Sequence, residues 1–286
     1  MTKRKPEWLK VRLHNTKELN YVKKTLQSLK LHTVCEEANC PNRVECYSSR
    51  TATFMILGNT CTRHCKFCNV GDGSPTPVDA GEPMRVAEAV KKLDLEYAVI
   101  TSVTRDDLDD GGASHFKSVI EEIRALTPNV KIEVLIPDFQ GDEDALNQVI
   151  EAKPDVINHN VETIERFYET IRPEAAYEQS LELITRVKKA NSKIMTKSGI
   201  MLGLGEEDAE VRKVIEDLKN AGCDILTVGQ YLPPSKDHAP LVEYITPEQF
   251  KVYEDFAVEL GYHGVASGPR VRSSYNAGHV YEGAEK

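Results

Sequence analysis

Residues 52–68 read ATFMILGNTCTRHCKFC, which places three cysteines directly after an apolar run. The run at 52–57 is short, apolar and followed by glycine, a pattern typical of a buried β-strand. Cys61, Cys65 and Cys68 are therefore expected on a loop that leaves the carboxyl end of a strand. In a barrel of parallel strands, active residues gather at that end. The stretch predicts an α/β fold with a reactive site beside it.

The spacing C-x3-C-x2-C brings three thiolates together, one fewer than the four that close a tetrahedral metal or cluster site. Three thiolates can hold a 4Fe–4S cluster and leave its fourth iron open, and Phe67 can shield such a cluster from water. A zinc site or free thiols are the alternatives, although the candidate fourth ligand His64 directly adjoins Cys65. Disulfides are disfavoured, because the chain has seven cysteines and no secretory signal is evident.

A second group of cysteines has the spacing Cys35-x4-Cys40-x5-Cys46, so six of the seven cysteines lie between residues 35 and 68. This group also offers three thiolates and needs a fourth ligand from elsewhere to close a tetrahedral site. The seventh, Cys223, lies between a predicted helix and a predicted strand, where a buried structural thiol is expected.

Strand-like and helix-like segments alternate through the middle of the chain. The strand-like runs are 52–58, 97–103, 131–137, 155–161, 193–202 and 225–232. The amphipathic helical patterns are 83–93, 114–126, 142–151, 177–190, 206–221 and 248–260. This alternation indicates a parallel sheet with right-handed crossovers, and it favours a barrel.

The chain has 286 residues, enough for one large α/β domain, and a formal net charge of −9. An acidic balance argues against broad nucleic-acid binding, which needs a basic face. No apolar run approaches the roughly 20 residues that cross a bilayer, and the basic N-terminus lacks the apolar core of a secretory signal. We therefore expect no nucleic-acid partner, no membrane and a location in the reducing cytoplasm.

Three motifs resemble those of known enzymes. The C-x3-C-x2-C group resembles the cluster motif of the radical S-adenosylmethionine (SAM) superfamily. The C-x4-C-x5-C group closely resembles the auxiliary-cluster motif of one family within it, the lipoyl synthases. Residues 270–277, RVRSSYNA, match the R-S-S-Y-x-A element of that family. The resemblance extends from Lys5 to Tyr281, and the three motifs together are highly specific.

This resemblance implies two 4Fe–4S clusters and SAM as cofactors. It assigns the SAM-binding cluster to Cys61, Cys65 and Cys68. It assigns the auxiliary cluster to the remaining catalytic and metal-binding set, Cys35, Cys40, Cys46 and Ser274. The residues alone would favour a solvated turn at the serine. An oxygen ligand among soft thiolates is, however, a suitable displaceable ligand for a cluster that gives up sulfur.

The implied enzyme is a sulfur-inserting transferase of lipoate biosynthesis. It inserts two sulfur atoms at carbons 6 and 8 of a protein-bound octanoyl group, giving the lipoyl cofactor. A 5′-deoxyadenosyl radical made from SAM takes the hydrogens, two SAM molecules are consumed, and the auxiliary cluster donates the sulfur. Arg272, beside the serine, would gate that cluster or pair with a nearby acid.

The implied fold is a partial (β/α)6 barrel of the TIM type, which the six predicted units match. We expect an N-terminal extension at residues 1–50 that carries the auxiliary-cluster cysteines. The barrel would occupy residues 51–261. A C-terminal segment, 262–286, would close over the same end of the barrel and contribute the R-S-S-Y element.

Polar residues near the ends of predicted strands are candidate cofactor contacts. Asn160 and Glu162 interrupt an apolar strand, and either ligand contacts or internal hydrogen bonds would satisfy them. Arg172 would bind a carboxylate or make a surface pair. Gly203 and Glu206 lie in a glycine-rich turn that resembles the element radical SAM enzymes place beside adenine and ribose.

The implied substrate is an octanoylated carrier, either the glycine cleavage H protein or the lipoyl domain of a dehydrogenase E2 component. A flavodoxin or ferredoxin would supply electrons, and an iron–sulfur cluster carrier is a further implied partner. Carrier domains of this kind are typically acidic, so a local basic rim is expected. Loop charges of this kind are more often simply solvated. The candidate residues for the basic rim are Arg43, Arg50, Arg63 and Lys66.

The alternatives are a tRNA methylthiotransferase, a biotin-synthase-like sulfur insertion enzyme, and a non-catalytic zinc- or cluster-binding scaffold. The first would need an RNA-binding domain, for which we expect no room in the chain. The N-terminal cysteine group argues against the second.

Overall fold

The computed structural model describes residues 4–10 and 16–285. The first strands are β1 (His32–Thr33), β2 (Thr53–Ile56), β3 (Thr60–Cys61), β4 (Gly71–Asp72) and β5 (Tyr97–Ser102). The later strands are β6 (Lys131–Leu135), β7 (Val156–Asn158), β8 (Met195–Leu202), β9 (Ile225–Gln230) and β10 (Gly264–Gly268).

Helices precede, separate and follow these strands. The N-terminal helices are α1 (Lys17–Ser28), α2 (Val34–Glu37) and α3 (Arg43–Ser48). The helices between strands are α4 (Glu82–Leu93), α5 (Ala113–Leu126), α6 (Glu143–Glu151), α7 (Tyr168–Ile171), α8 (Tyr177–Ala190), α9 (Asp208–Asn220) and α10 (Pro247–Glu259). The last is α11 (Ala277–Ala284). No helix of the described residues is long and apolar enough to cross a bilayer.

The described strands form one eight-stranded sheet in the order β1-β2-β5-β6-β7-β8-β9-β10, and a separate pair, β3-β4. Every neighbouring pair from β2 to β10 is parallel, whereas β1 joins β2 antiparallel. Because β1 and β10 are the two edges of the sheet, the barrel is open between them. The predicted alternation and the partial barrel are confirmed.

The sheet also contains a strand that the apolar pattern of the sequence does not predict. Strand β10 pairs in parallel with β9, with Gly264 opposite Ile225. Its sequence, GVASG, lacks the apolar run that marked the other strands, because glycine and serine give no strand signal. The sheet therefore continues past residue 261, and the division of the chain into three parts stays a proposal.

The helices pack apolar faces on the outside of the sheet. In α5 the residues Phe116, Val119, Ile120 and Ile123 recur at helical spacing and are fully buried. Each such side chain contributes about 1.5–3 kcal/mol to folding by leaving water. The helices therefore hold the strands, and the loops after the strands, in fixed positions.

The amino-terminal end of the barrel contains a buried polar cluster. Lys197 Nζ lies 2.9 Å from both carboxylate oxygens of Glu133, and both side chains are only 1% exposed. Tyr97 Oη and Asn158 Nδ2 also donate to this carboxylate, at 2.7 and 3.0 Å. The Tyr281 ring of α11 packs on Tyr97, with ring centroids 5.6 Å apart. This end is occupied, so the opposite end is where a site can open.

Candidate active site

A cavity of about 560 Å³ lies at the carboxyl ends of the barrel strands. Its walls include residues from the ends of β5, β6, β8 and β9, as expected for a parallel barrel. The cavity is also lined by both cysteine groups and by the serine of the R-S-S-Y element: Cys35, Cys40, Cys46, Cys61, Cys65, Cys68 and Ser274. The fold therefore brings together residues from the N-terminal extension, the barrel and the C-terminal segment.

Hydrogen bonds hold the loop that carries the second cysteine group at several points. Thr62 N donates to Thr104 O at 3.1 Å, and Thr104 N donates in turn to Cys61 Sγ at 3.3 Å. Further along, Lys66 N donates to Ile171 O at 2.9 Å, and Ala239 N donates to Lys66 O at 2.8 Å. The backbone around these thiols is therefore held by segments that follow three different strands.

Arg63 also holds this loop, through ion pairs with two aspartates. Its guanidinium makes paired hydrogen bonds to Asp106, at 2.7 and 3.0 Å, and to Asp138, at 2.9 and 2.6 Å. Burial alone would raise the pKa of Asp138, but the hydrogen bonds and charge of Arg63 outweigh it and lower that pKa to about 2. The Asp138 carboxylate is therefore a charged anchor for the loop at neutral pH.

This network corrects the interpretation of Arg63 as a basic rim or solvated loop residue, because Arg63 is only 8% exposed. The sequence held a usable signal. Asp106 and Asp138 follow neighbouring parallel strands, β5 and β6, whose carboxyl ends meet. A cation in a loop over that edge is placed to bridge them.

Four of the six thiols, two in each group, are shielded from water. Burial raises the pKa of Cys35 and of Cys65 to about 11, and the pKa of Cys46 and of Cys68 to about 12. Such thiols carry their protons at neutral pH and ionise only when a metal replaces the proton. No three His, Cys, Asp or Glu side chains in the described ranges are grouped closely enough for one shared ion. The thiols face a cavity rather than a single point.

The segment that carries Ser274 lies directly against the barrel. A side-chain carbon at Gly229, near the end of β9, would come within 2.3 Å of Val271 O, so the glycine permits this approach. Arg272 lines the cavity, and its Nη1 donates to Val271 O at 2.6 Å. Burial lowers the pKa of Arg272, and the nearby Cys40 opposes that shift. Among the described residues this guanidinium has no carboxylate partner, so pairing with an acid is not its role.

Three of the five candidate cofactor contacts line the cavity: Asn160, Glu162 and Arg172. Asn160 Nδ2 donates to Glu162 Oε1 at 3.0 Å. Burial raises the pKa of Glu162, opposed by the charge of Arg172 and the bond from Asn160. Glu162 also has a positive φ of 65°, which turns its side chain away from the regular strand direction.

Arg172 is 8% exposed and therefore makes no surface pair, contrary to that alternative. Its Nη1 donates to Asn160 O at 3.1 Å, Val161 O at 3.0 Å and Tyr168 Oη at 2.9 Å. Its Nε is buried and has no hydrogen-bond partner among the described residues. A buried cation with a free donor at a cavity wall is suited to an anionic ligand.

The other two candidates, Gly203 and Glu206, are not part of the cavity wall. Glu206 Oε2 accepts from Gly203 N at 2.9 Å, Leu204 N at 3.0 Å and Gly205 N at 3.2 Å. A side-chain carbon at Gly203, whose φ is +115°, would come within 2.3 Å of Gln230 Nε2. Both residues therefore shape the turn after β8, and Glu206 Oε1 is buried with no hydrogen-bond partner in the part of the chain that the structure describes.

Two histidines contact the site region without offering a metal ligand. His159 is buried, with Nδ1 2.9 Å from Ile136 O and Nε2 3.1 Å from Ser180 Oγ, as expected of a structural residue. His238 Nε2 lies 3.0 Å from Cys68 O and ties the loop after β9 to the cysteine loop. No periodic pattern predicts the second contact, because its partners lie 170 positions apart in sequence.

Family models match this chain in two places. The model described as the radical SAM superfamily matches residues 55–229, which include the cysteine loop and most of the barrel. The model described as the N-terminal domain of lipoyl synthase matches residues 1–40.

Curated relatives match almost the full length. A lipoyl synthase of Alkaliphilus metalliredigens is 56% identical over 284 residues, covering 99% of this chain and 98% of the relative. A lipoyl synthase of Caldanaerobacter subterraneus subsp. tengcongensis is 57% identical over 277 residues, covering 97% of each chain.

Solved structures share the fold at low sequence identity. HydG, a maturase of the [FeFe]-hydrogenase, has a TM-score of 0.58 at 15% identity, covering 90% of this chain and 58% of that one. SuiB of Streptococcus suis, solved with S-adenosylmethionine bound, also has a TM-score of 0.58, at 9% identity, covering 84% and 59%.

The partial barrel and the three-cysteine loop after its first parallel strand define an enzyme of the radical SAM superfamily. Such an enzyme uses a 4Fe–4S cluster and SAM. Within that superfamily, the chain belongs to the lipoyl synthase family.

Proposed function

We propose that this enzyme inserts two sulfur atoms into an octanoyl group on a carrier protein, at carbons 6 and 8, to form the lipoyl cofactor. The observation that carries the proposal is the shared cavity: both cysteine groups and Ser274 face it together. A reaction that makes a radical at one group and takes sulfur at the other needs both within reach of one substrate chain.

The ligand assignment follows from the two groups. Cys61, Cys65 and Cys68 would hold the cluster that binds SAM. The auxiliary cluster would be held by Cys35, Cys40, Cys46 and Ser274. When bound, the two clusters and SAM supply the hydrogen-abstracting radical and the sulfur, which no side chain of this chain supplies.

The residues present fit these groups. Soft thiolates are the preferred protein ligands of iron–sulfur clusters, and each site has three of them on the cavity wall. Each site also faces a buried or half-buried arginine without a carboxylate partner in the described chain: Arg172 near Cys65, and Arg272 near Cys40. Clusters ligated by thiolates are anionic, so these cations are suited to balance them.

The chain's own role is to position the substrate and exclude water. The cavity wall contains apolar side chains from separate elements, which suit an eight-carbon acyl chain. These include Met55, Phe67, Ile136, Ile200 and Leu232. A dry wall also protects a reactive radical from side reactions.

The carrier and the other partners are part of the proposal. The proposed carriers are the glycine cleavage H protein and the lipoyl domain of a dehydrogenase E2 component. Lys5 is exposed and lines the cavity, which gives the mouth one cation for an acidic carrier. A flavodoxin or ferredoxin would reduce the enzyme. A cluster carrier would rebuild the auxiliary cluster after it has donated its sulfur. The proposed location of these steps is the reducing cytoplasm.

The decisive experiment incubates the anaerobically reconstituted enzyme with SAM, a reductant and an octanoyl-lysine peptide, followed by mass spectrometry. We expect a peptide that gains two sulfur atoms, less two hydrogens once the dithiol oxidises. The protein should first contain about eight iron atoms and eight sulfides, as two 4Fe–4S clusters require. A fully loaded enzyme that cleaves SAM but leaves the peptide mass unchanged would contradict the proposal.

A further inference from the structure

The two parts of the proposed auxiliary site lie near opposite ends of the chain. In the structure, residues beside the ligands join these parts. Glu45 adjoins Cys46, Tyr275 adjoins Ser274, and Tyr275 Oη donates to Glu45 Oε1 at 2.7 Å. The hydrogen bond links positions 230 residues apart in sequence.

Arg270 and Asn42 extend this contact. Arg270 Nη2 lies 3.0 Å from Glu45 Oε2 and donates to Tyr275 Oη at 3.1 Å. Asn42 Nδ2 donates to Arg270 O at 2.7 Å. We call these four residues, Asn42, Glu45, Arg270 and Tyr275, the clasp.

The clasp combines a shielded bond with partly exposed charges. Asn42 is only 1% exposed, so water does not compete effectively for its bond to the C-terminal segment. The side chains of Glu45 and Arg270 are 39% and 34% exposed, which screens their attraction. The Tyr275 hydroxyl bridges both charged groups, so the network sets the orientation of the C-terminal segment as well as its distance from Glu45. None of these four side chains is a proposed cluster ligand.

We propose that the clasp is a positioning device that holds Ser274 at the first cysteine group whether or not a cluster is bound there. The inference rests on the proposed function, in which Ser274 is a cluster ligand. An oxygen among soft thiolates is the ligand most easily displaced. Because the clasp does not involve the metal, loss of that ligand stays local and the C-terminal segment remains in place for the next cluster.

The first test uses the metal-free full chain, so it does not depend on sulfur insertion. Amide hydrogen exchange over residues 268–276 is compared in the wild type, Tyr275→Phe and Glu45→Gln. The phenylalanine keeps the ring and removes only the hydroxyl. We expect exchange about tenfold faster in both variants, the scale set by losing a hydrogen bond to a charged group. Equal exchange in all three proteins overturns the proposal.

A matched control separates the clasp from a general loss of charge. Glu210 makes an exposed ion pair with Arg166, at 2.7 Å, outside the cavity wall. Glu210→Gln should leave exchange over residues 268–276 unchanged. If Glu45→Gln does not fold, Tyr275→Phe decides alone. A double variant, Glu45→Gln with Tyr275→Phe, should exchange no faster than about twice either single variant, because both changes act on the same bond: one neutralises its acceptor and the other removes its donor.

The second test measures iron release to a chelator from reconstituted protein. We expect about half of the iron, the auxiliary share, to leave faster in Tyr275→Phe, while the remainder leaves at the wild-type rate. Release at the wild-type rate from both pools contradicts the clasp. Faster exchange in the variants, together with a reconstituted wild type that makes no thiolated product, would uphold the clasp and reject the proposed function. Product formation by the wild type, together with unchanged exchange in the variants, would uphold the proposed function and reject the clasp.

Discussion

Arg63 Nη2 lies 2.6 Å from Asp138 Oδ1, and this contact ties the cysteine loop to the end of β6. The arginine side chain is 6% exposed and the aspartate side chain is fully buried. Asp106, at the end of β5, makes the second pair with the same guanidinium. The position of Cys61 and Cys65 on either side of Arg63 is thus set by an ion network rather than by the thiols themselves.

Asp138→Asn should therefore destabilise the metal-free protein. It leaves a buried guanidinium with half of its countercharge, and breaking a buried pair costs about 3–5 kcal/mol. Urea unfolding followed by circular dichroism measures the loss. Asp237→Asn, at an exposed loop position, is the control and should change stability by less than about 0.5 kcal/mol. Equal stability of the two variants would show that the network adds nothing.

Cys68→Ala should abolish SAM cleavage while the auxiliary cluster survives, because the change removes one thiolate from the SAM-binding group only. The measurements are 5′-deoxyadenosine production and iron content, which should fall to about half. Cys223→Ala is the matched control, since this thiol is buried against Thr196 and Ile225 rather than at the cavity. Continued 5′-deoxyadenosine production by Cys68→Ala would refute the assignment.

Cys40→Ala should give the opposite result. The SAM-binding group is intact, so 5′-deoxyadenosine still forms, but no sulfur reaches the octanoyl peptide. Mass spectrometry of the peptide and chromatography of the nucleoside measure the two outcomes in one reaction. A lipoyl product from this variant would mean that the sulfur comes from elsewhere.

Glu133→Gln should strongly destabilise the barrel. The neutral amide leaves Lys197 charged and buried, which costs about 3–5 kcal/mol. Urea unfolding measures this cost, and the exposed pair of Lys251 and Glu254 is the control, since Glu254→Gln should cost at most about 1 kcal/mol. The double variant Glu133→Gln with Lys197→Met should recover part of the loss. Equal effects at the buried and exposed pairs would contradict this account.

His159 should contribute a measurable loss of stability in mild acid. Burial lowers the pKa of His159 from 6.5 to about 4, with Arg172 acting in the same direction. Between these values the unfolded chain binds a proton that the folded chain does not, so the unfolding free energy falls as pH falls from 6.5 towards 4. The full effect is about 3 kcal/mol.

The measurement is urea unfolding at several pH values. His159→Gln, which does not titrate, should show a smaller decline over the same interval. Parallel declines in both proteins would assign the acid sensitivity to other groups.

The sequence was sufficient for the barrel because its strands are apolar runs separated by amphipathic helices. Strand β10 was not predictable in this way, since Val265 is the single large apolar residue in its sequence GVASG. The cysteine groups were recognisable because ligand spacing is a local property. The Arg63 network and the clasp depend on residues far apart in sequence. The sequence alone leaves Arg172 between a carboxylate contact and a surface pair, and only its burial decides against the surface pair. Only the folded chain brings such partners together.

The position of α11 has a practical consequence for handling the enzyme. Tyr281 of this helix packs on Tyr97, at the start of β5, so the helix lies on the face opposite the cavity. A dye or surface linker attached at the exposed His279 would leave the mouth clear for a bulky carrier. An attachment near Lys5, which lines the cavity, would crowd the entrance instead.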